Sequence, residues 1–138
     1  MKRVYIAGPI TKGDLSHNIN QGTIAFIALA KAGIAPMCPM WSAYSGNAYT
    51  ADCVYPQRVN AKSGDPVDLT SKVFAVAGAN PNCLTHSDWL AVDFAWIRVC
   101  DAVLRLPGES VGADMETAEA KRLGIPVFES IDDIVRWA

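Results

Sequence analysis

The sequence predicts an α/β protein, a single open parallel sheet of four to five strands with helices on both faces. Three observations carry that reading. Short β-branched and aromatic runs alternate with longer helical stretches, the pattern of strand–helix–strand units. A phrase of helix end, glycine and short apolar run occurs twice, as KAGIAP at Lys31–Pro36 and KRLGIP at Lys121–Pro126. Finally, Asp101–Glu116 (DAVLRLPGESVGADME) reads as a buried strand, a Gly-containing loop and the first turn of a helix. That order puts the loop at the carboxyl edge of the sheet, where open α/β folds bind ligands.

In chain order, Arg3–Ala7 (RVYIA) is the first strand and ends at Gly8-Pro9. A helix is expected from about Asn18 to Ala32, closed by Gly33. Its apolar residues Ile24, Phe26, Ile27, Ala28 and Leu29 cover more than one face, so it packs on the sheet and has surface left for a partner chain. Ile34–Cys38 is a short second strand. Between about 41 and 85 the periodicity fails in a tract rich in Ser, Gly, Asn, Asp and Pro, read as an irregular insertion and a candidate lid. Within it Lys72–Ala77 is expected to be a strand. Order returns with a helix over Asp88–Cys100, N-capped by Ser87. A strand over Ala102–Leu106 follows, then a helix over Val111–Leu123, a strand over Ile125–Phe128 and a last helix from Ile131 behind Ser130. Residues 1–138 thus form one domain of a Rossmann-like or flavodoxin-like kind, with the insertion at about 41–85.

Composition excludes several functions. The net charge of −2 is scattered, with no basic stripe for a nucleic-acid polymer and no cationic amphipathic stretch for a membrane surface. The opening apolar run of about five residues is shorter than the roughly 7–15 of a signal peptide, so a cytoplasmic location is expected. The four cysteines, Cys38, Cys53, Cys83 and Cys100, show no zinc spacing with His17 or His86, and no metal or organic cofactor is expected. Cys38 and Cys100 lie among apolar neighbours and read as reduced core thiols.

Two acids are placed unusually. Asp93 falls on or near the apolar stripe of its helix, which demands a partner or a task. Glu116 stands at a helix start, where the dipole would keep it ionised. Two carboxylates converging on a cleft are the equipment for cleaving a glycosidic bond: one attacks the sugar carbon, the other assists the leaving group or activates water. An ion pair for Asp93 and dipole compensation for Glu116 would explain the same residues without any chemistry. The loops Gly8-Pro9-Ile10-Thr11 and Ser110-Val111-Gly112-Ala113 are expected at one sheet edge, offering amides and hydroxyls to an anion or a sugar.

The run VYIAGPI, followed by the pattern D-W-L-x-x-D-F-x-W-I-x-x-C-D-A-V-L-R-L-P-G-x-S-x-G-A-D-x-E-x-x-x-A-x-x-x-G-I-P-V, resembles the nucleoside 2-deoxyribosyltransferase superfamily, including its nucleotide N-glycoside hydrolase branch. The resemblance covers Lys2–Pro39 loosely and Asp88–Phe128 well. It implies Glu116 as the nucleophile on the anomeric carbon, Asp93 as the second catalytic carboxylate, and Tyr5 approaching the sugar or the nucleophile. It implies Gly8, Ile10, Thr11, Lys12, Ser110, Gly112 and Ala113 around the substrate. Where nucleoside transferases carry an acid facing the sugar 5′-hydroxyl, this chain has Ser110, which in the hydrolases receives a 5′-phosphate. The Glu109 beside it is a departure that works against a phosphate. The resemblance also implies a homodimer or a higher oligomer. The expected activity is hydrolysis of a nucleoside 5′-monophosphate to free base and sugar phosphate. The alternatives are base exchange between nucleosides and a non-catalytic nucleotide-binding protein.

Overall fold

The computed structural model describes residues 1–10, 12–41 and 86–138. The chain divides into two units, Met1–Ser42 with Leu90–Ala138 and Ala43–Trp89. The first unit contains the sheet, and all contacts described below lie within it. The expected insertion, with its strand at Lys72–Ala77, Cys53 and Cys83, lies outside the described residues.

In the first unit four strands, β1 (Arg3–Ala7), β2 (Ala35–Met37), β3 (Ala102–Arg105) and β4 (Val127–Phe128), form an all-parallel sheet in the order β2-β1-β3-β4. The helices are α1 (Leu15–Lys31), α2 (His86–Ile97), α3 (Val111–Arg122) and α4 (Ile131–Trp137). Strand alternation separates two cores. Val4, Ile6, Ala102, Leu104 and Leu106 pack with Ala25 and Leu29 of α1 and Ile134 of α4. On the other face Tyr5, Ala7 and Val103 pack with Ile97 of α2 and Ala113 and Ala120 of α3. Helices therefore cover both faces, as the sequence predicts.

Several boundaries differ from expectation, each for a local reason. Helix α1 starts three residues early because Asp14 is its N-cap, its carboxylate accepting from the His17 amide at 2.9 Å. The KAGIAP and KRLGIP phrases are two Schellman closures. Gly33 (φ +77°) and Gly124 (φ +73°) take the left-handed position, and the following isoleucine amides donate back to the helix, Ile34 to Leu29 and Ile125 to Ala120. Those amides are consequently unavailable to the sheet, which is why β2 and β4 begin after Ile34 and Ile125 and not at them; β2 also ends one residue early, at Met37. Helix α2 begins at His86, so Ser87 lies inside its first turn instead of capping it. It ends at Ile97, because Val99 and Cys100 donate three residues back, to Trp96 and Ile97, in a tightened last turn. Ser130 is the N-cap residue of α4 but makes no side-chain capping bond. Cys38 and Cys100 are buried free thiols, and burial raises both above the usual thiol range. Ile24 and Ile27 of α1 remain half-exposed. Among the described residues no helix is long and apolar enough to cross a membrane.

At the amino end of the sheet Asp101 ties β3 to β1. It accepts from the Arg3 amide at 2.7 Å and pairs with the guanidinium at 3.2 Å. These bonds hold its carboxyl down at about 2, against an ordinary 3.8. A lowered folded pKa gives stability that is present above the ordinary value and lost as pH falls through about 2. Asp101→Asn should therefore flatten the fall in Tm between about pH 4 and pH 2, as read by thermal denaturation across that range.

Candidate active site

The middle residue of β1 is the base of the site. Tyr5 is fully buried on the α2/α3 face, and a buried phenol needs a partner for its hydroxyl. It donates to Glu116 Oε1 at 2.9 Å, a bond between residues 111 apart in the chain. Asp93, half-buried on α2, lies within hydrogen-bonding reach of both Tyr5 and Glu116. The structure thus brings Tyr5, Asp93 and Glu116 together from β1, α2 and α3. The unusual placement of Asp93 has its explanation: it faces a second carboxyl and a phenol.

The expectation that Glu116 is ionised by the start of its helix is corrected. Helix α3 begins at Val111, so Glu116 stands in the second turn, beyond the reach of the dipole. It is only 6% exposed, and burial, followed by the Asp93 charge, pushes its carboxyl up to about 8. The Tyr5 hydrogen bond and the Arg105 charge act the other way and are outweighed. Two adjacent carboxyls that cannot both ionise hold one proton between them. Tyr5 is likewise held protonated, first by burial and then by the Glu116 and Asp93 charges. The site at neutral pH is a carboxyl pair sharing one proton above a neutral phenol. Tyr5→Phe removes the donor to Glu116 Oε1 and should cost about 1–2 kcal/mol in urea unfolding, with the Glu116 carboxyl titrating still higher.

The two loops expected at one edge do meet. Lys12 and Glu109, both exposed, form an ion pair between the β1–α1 and β3–α3 loops. A cavity of about 450 Å³ beside them is lined by residues of both loops and of α1, among them Pro9, Lys12, Asn18, Gly108 and Glu109. Tyr5, Asp93 and Glu116 are not among its lining residues. Gly8 is closely packed: a Cβ there would come within 2.5 Å of Met40 Cε and 3.1 Å of Leu106 Cβ. Ile10 is half-buried against the α1/α4 core. Thr11 lies outside the described residues. Ser110 is the N-cap of α3, its Oγ accepting from the Ala113 amide at 3.2 Å. That amide is therefore already used, and the Ala113 side chain is buried in the core. A Cβ at Gly112 would meet nothing closer among the described residues than Ser110 Oγ at 3.9 Å. Among the described residues no group of three or more His, Cys, Asp or Glu is placed to hold a metal ion.

Three residues that sequence reasoning passed over hold these loops. The buried Asn18 side chain donates to the Ile10 and Lys12 carbonyls at 3.2 and 2.8 Å, fixing the turn after β1. Gly108 adopts φ +113°, which side chains rarely tolerate, and a Cβ there would stand 2.9 Å from Pro9 Cγ. Arg105 donates to the Leu106 carbonyl, to the Gly108 carbonyl at 2.9 Å and to Asp114 at 2.9 Å. The signal for Arg105 is in the sequence: a lone cation inside the apolar strand AVLRL.

No protein-family model matches this chain, and no curated protein matches it. Among solved structures it is similar to a 2-deoxyribosyltransferase from the psychrotolerant bacterium Bacillus psychrosaccharolyticus, with a TM-score of 0.52 and 14% identity. The match covers 99% of this chain and 92% of that one. The α/β fold read from the sequence is the fold of that structure.

Proposed function

We propose that the protein exchanges bases at the N-glycosidic bond of a nucleoside, as a deoxyribosyltransferase. The fold shared with an enzyme of that description supports this reading. The observation that carries it is the buried contact of Tyr5 with Glu116, with Asp93 beside both. In the first half-reaction Glu116 Oε attacks C1′, forming an ester-like bond as the C1′–N bond breaks. The proton held by the carboxyl pair passes through Asp93 to the departing base nitrogen. In the second half-reaction a nitrogen of the acceptor base attacks C1′. The Glu116–C1′ bond breaks and the acceptor's proton returns to the pair. A single shared proton serves both directions, and the reaction needs no external acid. The Tyr5 hydroxyl orients the Glu116 carboxyl toward the sugar.

The charge around Ser110 favours nucleosides over the 5′-monophosphates expected from the sequence. Lys12 is neutralised by Glu109, and the Ser110 hydroxyl already caps α3. Among the described residues of this loop pair, a phosphate would meet a carboxylate and no unpaired cation. The clearance from the described residues at Gly112 favours the second reading, hydrolysis of a nucleoside 5′-monophosphate.

The test is a chromatographic assay with a panel of deoxynucleosides, each with and without a second free base. New nucleoside should form faster than deoxyribose is lost to water. Base release confined to the 5′-monophosphates would overturn exchange in favour of hydrolysis. A nucleotide that raises Tm with no product from any substrate would leave a binding protein.

A further inference from the structure

We propose that Arg105 is a positioning residue of this site: its guanidinium clamps the β3–α3 loop and presents a fixed cation to the Asp93–Glu116 pair. The inference rests on the base-exchange reading and adds a residue to it. Arg105 is the last residue of β3, paired with Ala7 of β1 in the parallel register. Strand alternation puts its side chain on the same face as Val103, the face that carries Tyr5 and Glu116. Its side chain is only 15% exposed, and a cation so enclosed is kept there by its partners. Those partners are the Leu106 and Gly108 carbonyls and the Asp114 carboxylate. One planar group therefore joins the end of β3, the turn at Gly108 and the first turn of α3, a task suited to a guanidinium and not to an ammonium. The residues it joins are those that deliver α3, and with it Glu116, to Tyr5.

The same guanidinium acts on the charge of the pair. The groups whose charge or hydrogen bonds act on Glu116 are Tyr5 from β1, Asp93 from α2 and, through its charge, Arg105 from β3; on α3 itself Glu119 is bound to Arg98 and Arg122. Of those groups, among the described residues, Arg105 is the one cation; it is paired with Asp114, and its charge still opposes the burial and the Asp93 charge that favour the protonated acid. The exchange mechanism needs one proton and one negative charge on the pair, and Arg105 stabilises that negative charge.

The experiment measures kcat and KM for exchange against pH in wild type, Arg105→Met and Arg105→Lys, together with the carboxyl carbon titration of glutamate-labelled protein without substrate. Arg105→Met should lower kcat roughly tenfold or more and leave KM within about threefold. Loss of the cation disfavours the anion, so the acid limb and the Glu116 titration should both move to higher pH, by about one unit. Arg105→Lys should restore the limb but not kcat, because an ammonium keeps the charge and loses the fork. A Met variant with only a lower Tm, an unmoved limb and unchanged kcat would make Arg105 merely structural and overturn the proposal. If Arg105→Met does not fold, the Lys variant decides: a lowered kcat on an unmoved limb supports the clamp, and a wild-type kcat overturns it. A wild-type protein inactive on every nucleoside would sink the exchange reading instead. The carboxyl titration would still show whether the guanidinium acts on Glu116.

Discussion

Glu116→Gln should abolish base exchange, by roughly 10⁴-fold or more, while making the protein more resistant to alkaline unfolding than the wild type. The two effects have one origin. The amide oxygen of glutamine can still accept from Tyr5 and its NH₂ can donate to Asp93, so the variant mimics the protonated acid in shape and hydrogen bonding. It has no anionic oxygen to attack C1′. The stability effect follows from the direction of the shift. Glu116 ionises near 4.5 in the unfolded chain and at about 8 in the folded one. The folded state therefore binds the proton more tightly, and that stabilisation is complete below pH 4.5 and lost as pH rises through about 8. The substituted amide never ionises and escapes that loss. Urea unfolding at about pH 4 and about pH 9 should show the two proteins close together at the lower pH and the variant ahead at the higher. An active Glu116→Gln enzyme would eliminate Glu116 as nucleophile. A variant that is inactive and also less stable in the alkaline measurement would keep the nucleophile and contradict the shared proton.

Asp93→Asn should lower exchange by about 10²–10⁴-fold, with a dependence on the leaving group. The substitution removes the carboxyl through which the shared proton reaches the departing base. It also removes the charge that, after burial, does most to hold Glu116 protonated. Glu116 would then ionise at lower pH and become a readier nucleophile with no proton to give. A substrate whose leaving group departs as a stable anion should lose little activity in the variant, whereas one whose base must be protonated should lose the full factor. The alkaline limb set by loss of the shared proton near pH 8 should disappear from the remaining activity. Equal losses on both kinds of substrate would mean that Asp93 only orients its neighbours.

The elements of the sheet were legible because their signals are local. Arg3–Ala7 is a strand in the sequence and in the structure, and the two glycine phrases end helices as read. The errors lie at boundaries. Asp14 caps α1 ahead of its first apolar residue, and Ile34 and Ile125 look like strand residues while their amides close helices. Asp93 and Glu116 stood out because acids at such positions need a reason.

Their contact with Tyr5 and the state of their protons were not legible. Pairwise spacing says which residues share a helix face; it does not say what the sheet places beneath that face, nor how much water remains. The helix-start argument for an ionised Glu116 failed because burial and a second carboxyl act more strongly than a dipole one turn away. Arg105 was read as one more strand residue, since its partners at Gly108 and Asp114 become neighbours only when the loop folds back.

Local pattern was enough for the strand–helix alternation, the parallel sheet and the choice of two acids worth following, because periodicity, glycine and charge act within a few residues. It took the folded chain to bring Tyr5, Asp93 and Glu116 into contact, to leave one proton on the carboxyl pair and to match Lys12 with Glu109. Those outcomes depend on desolvation and on distances between segments far apart in the chain, which no short stretch of residues encodes.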